Sequence, residues 1–153
     1  MTLDSDTIRA LLDLRSWVAL DLDTEGRVLA GHDELGSMQL VEIAADGTVT
    51  PLTDLASPCS GRYVPGRRQV VVEHDDGGDE NYQLSLLDLT DLPGAPVGPD
   101  GLMPLVRDAE HLHVLLDVTA DDVAYCTNRR NGVDMDVVLR ALGSGVHLRQ
   151  ALR

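Results

Sequence analysis

Between residues 69 and 108 the chain reads QVVVEHDDGGDENYQLSLLDLTDLPGAPVGPDGLMPLVRD, and this stretch decides the fold. An apolar run at residues 69–75 stops at the turn DGGDE and resumes at 82–89. It breaks again at a Gly/Pro loop and returns at 103–108. Short apolar runs punctuated by Gly, Asp, Asn and Pro are strands joined by turns. A further extended run at 61–64 precedes them, so the unit is four strands.

The unit recurs on both sides. Upstream it comprises residues 17–23 (WVALDLD), 28–33 (VLAGHD), 38–43 (MQLVEI) and 50–54 (TPLTD). Downstream it comprises 111–119 (HLHVLLDVT), 123–128 (VAYCTN), 134–142 (DMDVVLRAL) after the turn RRNG, and 146–152. Gln39 and Gln83 lie 44 residues apart, and Pro51 and Pro104 lie 53 apart, because Pro93, Pro96 and Pro99 swell the loop at 90–101. Four short strands per period of roughly 40 to 50 residues are the signature of β-propeller blades. The reading is all-β: a partial β-propeller of three four-stranded antiparallel blades, with a short N-terminal helix over residues 6–14. Residues 1–153 then form one propeller-type domain with blades at about 15–54, 56–108 and 109–153. A single irregular β-sandwich is the competing architecture. Trp17, the only tryptophan, is expected in the core of the first blade.

Composition narrows the partners. The chain has 153 residues, 26 acidic and 12 basic, for a net charge of −14. Such a surface repels phosphate backbones and anionic membranes, which disfavours nucleic acid. The basic residues are all arginine and phenylalanine is absent, a skew that fits a GC-rich, bacterial coding sequence. Cys59 and Cys126 match no metal or disulfide spacing, so a reducing, cytoplasmic setting is expected. Asp4 and Asp6 stand where a secretory signal would be positive, and no apolar run reaches 18 residues.

Residues 75–89 (DDGGDENYQLSLLDL) resemble a blade of the N-terminal propeller of prolyl oligopeptidase family serine peptidases, particularly the acylaminoacyl-peptidase branch. Residues 118–142 (VTADDVAYCTNRRNGVDMDVVLRAL) are similar to a second blade motif of that family, with Thr119, Ala120 and Asp121 where the family has Ser-Pro-Asp. Propellers related to the Tol-system translocation protein share this second pattern. The resemblance covers about residues 15–153 and implies a peptidase whose chemistry resides in a C-terminal α/β-hydrolase domain. No serine here has glycine at both −2 and +2, and Ser144, between Gly143 and Gly145, reads as a hairpin turn.

The remaining constellations read as structural. His111 and His113 would share a strand face, yet no third metal ligand is identifiable. Asp75, Asp76, Asp79 and Glu80 lack calcium-loop spacing. Arg129 and Arg130 could hold a carboxylate but fit solvated turn residues. Gly132 is expected at positive φ in a hairpin. Asp79, Glu80, Asp134 and Asp136 are expected to accept hydrogen bonds from backbone N–H groups of neighbouring turns.

The expectation is a noncatalytic propeller fragment that gates or docks peptide substrates for an absent α/β-hydrolase domain. The alternative is a free-standing propeller-type interaction module. No catalytic, cofactor-binding or metal residue and no cofactor is assigned. Further blades or the hydrolase domain, a peptide substrate and self-association through both end blades are the expected partners, with no membrane partner.

Overall fold

The computed structural model describes residues 14–143 and 148–152. Twelve strands form three four-stranded antiparallel sheets, each a meander in chain order. Sheet 1 comprises β1 (Trp17–Leu22), β2 (Val28–His32), β3 (Gln39–Ile43) and β4 (Val49–Pro51). Sheet 2 comprises β5 (Cys59–Tyr63), β6 (Gln69–His74), β7 (Gln83–Asp88) and β8 (Met103–Val106). Sheet 3 comprises β9 (His113–Val118), β10 (Asp122–Thr127), β11 (Asp136–Ala141) and β12 (Leu148–Leu152). Among the described residues the only helical turn is a 3-10 turn at Pro99–Gly101. The helix expected over 6–14 lies outside the described residues except for Leu14, which is exposed and belongs to no element; Ser144 also lies outside them.

The middle sheet holds the molecule together. Along β6, Val70 and Val72 enter a cluster shared with Leu29, Leu40 and Tyr63, while Val71 points the other way, into a cluster with Val118, Val123 and Tyr125. All three valines are fully buried. A strand whose successive side chains face opposite sides is continuously apolar only when both faces are covered, which is the position of β6 between the two clusters. Each such side chain contributes about 1.5–3 kcal/mol of burial.

Register makes the three sheets superposable in sequence. His32 pairs with Gln39, His74 with Gln83 and Thr127 with Asp136, each at the start of the third strand. Gln39 and Gln83 are buried. The Gln39 amide donates to the Leu55 and Ser57 carbonyls and accepts from the Leu55 N–H. Gln83 repeats this one unit later, donating to the Asp108 and His111 carbonyls and accepting from the Asp108 N–H. Each glutamine thus satisfies the backbone of the connector that leads into the next sheet. In sheet 3 the equivalent Asp136 receives Arg130 instead, at 2.9 and 3.2 Å.

Two carboxylates cross between sheets. Glu42 of β3 accepts the Tyr63 hydroxyl at 2.8 Å and both Arg68 guanidinium nitrogens at 2.8 and 2.9 Å. Burial pushes its carboxyl up, but the Arg68 fork and the Tyr63 hydroxyl outweigh that and hold it below the usual range. Glu73 of β6 accepts the Leu115 N–H of β9 and the Ser60 hydroxyl. It has no cationic partner among the described residues, and burial leaves its carboxyl raised.

Trp17 is not a core residue. It is 49% exposed at the start of edge strand β1 and stacks on the His32 ring at 3.8 Å, so only one ring face is covered. β5 begins at Cys59, two residues earlier than the apolar run suggests, because Cys59 itself enters the core. Gly132 has φ of +76°, and its N–H and that of Asn131 both reach the Asn128 carbonyl.

The two glutamates should respond oppositely to neutralisation. Glu42→Gln leaves Arg68 without its counter-ion and is expected to cost about 1–3 kcal/mol in urea unfolding at pH 7, a buried-pair penalty reduced by partial exposure. The parent's Glu42 contribution, present above about pH 4.3, is lost as pH falls through its depressed folded value. Glu73→Gln keeps an acceptor for Leu115 and removes an unpaired buried charge, so stability at pH 7 is expected to hold or rise. Gly132→Val should cost about 1–2 kcal/mol through left-handed strain, read from the melting temperature.

Candidate functional site

A cleft of about 310 Å³, rich in charged groups, lies where the first strands of the three sheets converge. The β1–β2 turn, the β5–β6 turn and the end of β9 line it, bringing together Arg27, Arg62, Arg67 and Arg68 with Asp21, Asp23, Glu25 and Asp117. Gly66 shapes the second turn, with φ of +73° and open space where a Cβ would stand.

Most of these charges are committed. Asp21 accepts the Tyr63 N–H at 2.9 Å, tying β1 to β5. Arg27 pairs with Asp23 at 2.7 Å and with Glu25. Asp23 also accepts the N–H groups of Glu25 and Arg27, and these bonds outweigh burial and depress its carboxyl. Arg68 is held by Glu42. Arg62, exposed on β5, has no hydrogen-bond or ion-pair partner among the described residues, and Arg67 has only the exposed Asp121 at 3.5 Å. Across the cleft, Asp117 accepts only the N–H of the following residue, Val118. The arrangement offers two available guanidinium groups and one carboxylate from converging walls. A wider depression of about 540 Å³ beside the 90–101 loop offers carboxylates and prolines but no cation.

The residues singled out in the sequence lie elsewhere. His111 sits in the turn before β9, bonded to Asp108 at 3.1 Å, while His113 is buried in the strand, so the two do not share a strand face. Arg129 pairs with Asp108, and Arg130 with Asp134 and Asp136. Both turn arginines are exposed to solvent, as expected, and each is already paired with a carboxylate. Asp134 and Asp136 accept from Arg130, with Asn131 adding to Asp134, rather than from backbone N–H groups as expected. Asp79 does accept backbone N–H groups, of Asp76 and Asn81, and Asp75 accepts those of Gly78 and Glu80. That turn is closed by its own carboxylates. Among the described residues no group of three His, Cys, Asp or Glu side chains is arranged to hold a metal.

One contact escaped sequence reasoning. Ser85 Oγ lies 2.9 Å from His74 Nε2, a pairing that only the β6–β7 register creates. Ser85 is buried and lines none of the clefts described, so this pair joins neighbouring strands within sheet 2 rather than presenting a nucleophile.

The fold is thus all-β, built from three antiparallel sheets. No protein-family model matches the chain and no curated protein matches it. Among solved structures it is similar to TolB from Acinetobacter baumannii, at 15% identity and a TM-score of 0.49, over 86% of this chain and 34% of that one. The chain therefore spans about a third of the length of that protein. The likeness extends to a β-sheet fold and no further.

His113 yields a pH signature. Neither ring nitrogen has a hydrogen-bond partner among the described residues, and the ring meets Tyr125 edge-on at 5.8 Å. Burial pushes its imidazole below the ordinary range, opposed by Asp108 and reinforced by His111 and Arg129. The unfolded chain takes up a proton below about pH 6.5 while folded His113 stays neutral. Stability present above that pH therefore falls as pH drops, by up to about 1.4 kcal/mol per unit. His113→Phe is expected to flatten this loss relative to the parent, in urea midpoints measured from pH 7.5 to 5.5.

Proposed function

We propose that the chain is a noncatalytic, propeller-type protein-interaction module, an arc of three blades at about 15–54, 56–108 and 109–153. Its inner-edge cleft receives the free carboxylate end of an extended peptide segment. The observation carrying this reading is the availability of Arg62 and Arg67 in the cleft while Arg27 and Arg68 beside them are consumed by acids. Guanidinium groups bind carboxylates bidentately and gain most where surrounding walls exclude water. A volume of about 310 Å³ falls in the usual range for small-ligand sites. Asp117 on the opposite wall and the net charge of −14 favour a neutral or basic body behind that carboxylate.

The peptidase-fragment reading rests on the sequence resemblance alone. Under it the same cleft would present peptides to a separate hydrolase domain.

The test uses a fluorescent peptide with a basic body and a free C-terminal carboxylate, against the same peptide amidated. The free acid is expected to bind about tenfold more tightly, the difference a charge-assisted hydrogen bond supplies. Arg62→Ala and Arg67→Ala should each erase most of that preference without moving the melting temperature. Equal affinity for acid and amide would overturn the proposal. Labelling of a serine by a fluorophosphonate would return the peptidase reading in catalytic form.

A further inference from the structure

We infer that Asp76 is a modification site, at which the folded chain converts an aspartyl linkage to an isoaspartyl one through a succinimide. Asp or Asn precedes Gly at four places in the sequence: Asp46–Gly47, Asp76–Gly77, Asp100–Gly101 and Asn131–Gly132. At such a pair the glycine nitrogen can attack the preceding side-chain carbonyl carbon and close a five-membered ring, and glycine offers no side chain to hinder the approach. The attack requires a nitrogen and a side chain that are both free to turn toward each other.

Hydrogen bonding withholds that freedom at three of the four pairs. The Gly47 N–H donates to the Ala44 carbonyl at 2.8 Å, and Asp46 accepts the Thr48 N–H at 2.9 Å. The Gly101 N–H donates to the Gly98 carbonyl at 3.0 Å, and the Val97 side chain crowds its α-carbon. The Gly132 N–H donates to the Asn128 carbonyl at 2.7 Å, while the Asn131 amide donates to Asp134 and accepts the Val133 and Asp134 N–H groups.

At Asp76–Gly77 both reacting groups are uncommitted. The turn is closed by Asp75, which accepts from Gly78 and Glu80, and by Asp79, which accepts from Asp76 and Asn81. That pattern passes over Gly77, whose N–H has no hydrogen-bond partner among the described residues, and the Asp76 carboxylate has none either. Gly77 stands at φ of +71° with open space about its α-carbon, and Asp76 is exposed.

The step balances with water alone. The Gly77 nitrogen bonds to Asp76 Cγ, the C–OH bond of the protonated carboxyl breaks, and the nitrogen's proton leaves with the hydroxyl as water. A second water reopens the ring. Cleavage between the nitrogen and Cγ restores aspartate, whereas cleavage between the nitrogen and the main-chain carbonyl carbon routes the backbone through Cγ and frees an α-carboxylate. That α-carboxylate is the group an isoaspartyl methyltransferase esterifies with the methyl of S-adenosylmethionine.

The test incubates the folded chain in mildly acidic oxygen-18 water, where more of each carboxyl is in its reactive protonated form, and locates the heavy oxygen gained at each ring reopening by tandem mass spectrometry. Asp76 is expected to gain label about tenfold faster than Asp46 or Asp100, the factor that one hydrogen bond on the attacking N–H supplies. It should also be the main methyl acceptor for a purified isoaspartyl methyltransferase. In urea the three aspartates should label at similar rates. Asp76→Glu keeps the charge but could close only a slower six-membered ring, so it should lose label and methylation at this position with an unchanged melting temperature. Labelling of Asp46 or Asp100 as fast as Asp76 in the folded chain would overturn the inference. So would an Asp76 that reacts only in urea.

Discussion

A chain that leaves one four-stranded sheet and enters the next must bury part of its connector, and the connector's backbone polar groups then need partners other than water. Gln39 and Gln83 meet that requirement. Each stands first in the third strand of its sheet and reaches sideways with both ends of its amide, donating to two connector carbonyls and accepting from one N–H. An aspartate or glutamate could accept but not donate, and a lysine or arginine could donate but not accept. The amide fixes the height at which the next sheet starts, and from that follow the alignment of the apolar faces and the convergence of the first strands. The cleft is a by-product of that convergence, since its three contributing segments lie at corresponding places in successive sheets.

Charge between the sheets is handled in two ways. The contact between sheets 1 and 2 contains a fully paired carboxylate, with Glu42 held by a guanidinium fork and a phenol. The contact between sheets 2 and 3 contains Glu73, which has hydrogen bonds but no cation, and His113, whose ring nitrogens lack partners among the described residues. Polar groups taken out of water stabilise only when they are satisfied. The first contact is therefore the more polar but the better compensated, and the second leans on Val71, Leu84, Val123 and Tyr125.

Strand periodicity was plainly written in the sequence. Alternation and turn residues placed twelve extended runs within a few residues of the observed strands, and the 44-residue spacing of Gln39 and Gln83 marked equivalent positions before their role was visible. What those glutamines do was not legible, because a buried amide and a solvated one look alike until the connector folds over them. The cleft was hidden for the same reason: Arg62 and Arg67 come from one hairpin, but the acids that leave them free or occupy their neighbours come from sheets 1 and 3. Arg129 and Arg130 are exposed turn residues, as the sequence suggested, but their partners Asp108 and Asp136 became visible only once loop closure and strand pairing brought them close. Trp17 was misplaced because size and hydrophobicity suggest a core, while its place at the end of an edge strand allows only a stack on His32.

The long loop at 90–101 does more than lengthen one repeat. Val97 forms a parallel bridge with Thr53, and its N–H reaches the Leu52 carbonyl while its carbonyl receives the Asp54 N–H. Leu102 joins the core shared by sheets 1 and 2, with Leu92 packed against it. The loop is thus stitched across the exit of the preceding sheet, and sheet 1 cannot peel away without also opening a segment of sheet 2. Among the described residues sheet 3 is tied to sheet 2 by the His113 N–H on the Tyr82 carbonyl and the Leu115 N–H on Glu73, with no bridge like that of Val97 and Thr53. The stitch is expected to make the first two sheets open as one unit, with amide protons of β10 and β11 exchanging with solvent before those of β3 and β6.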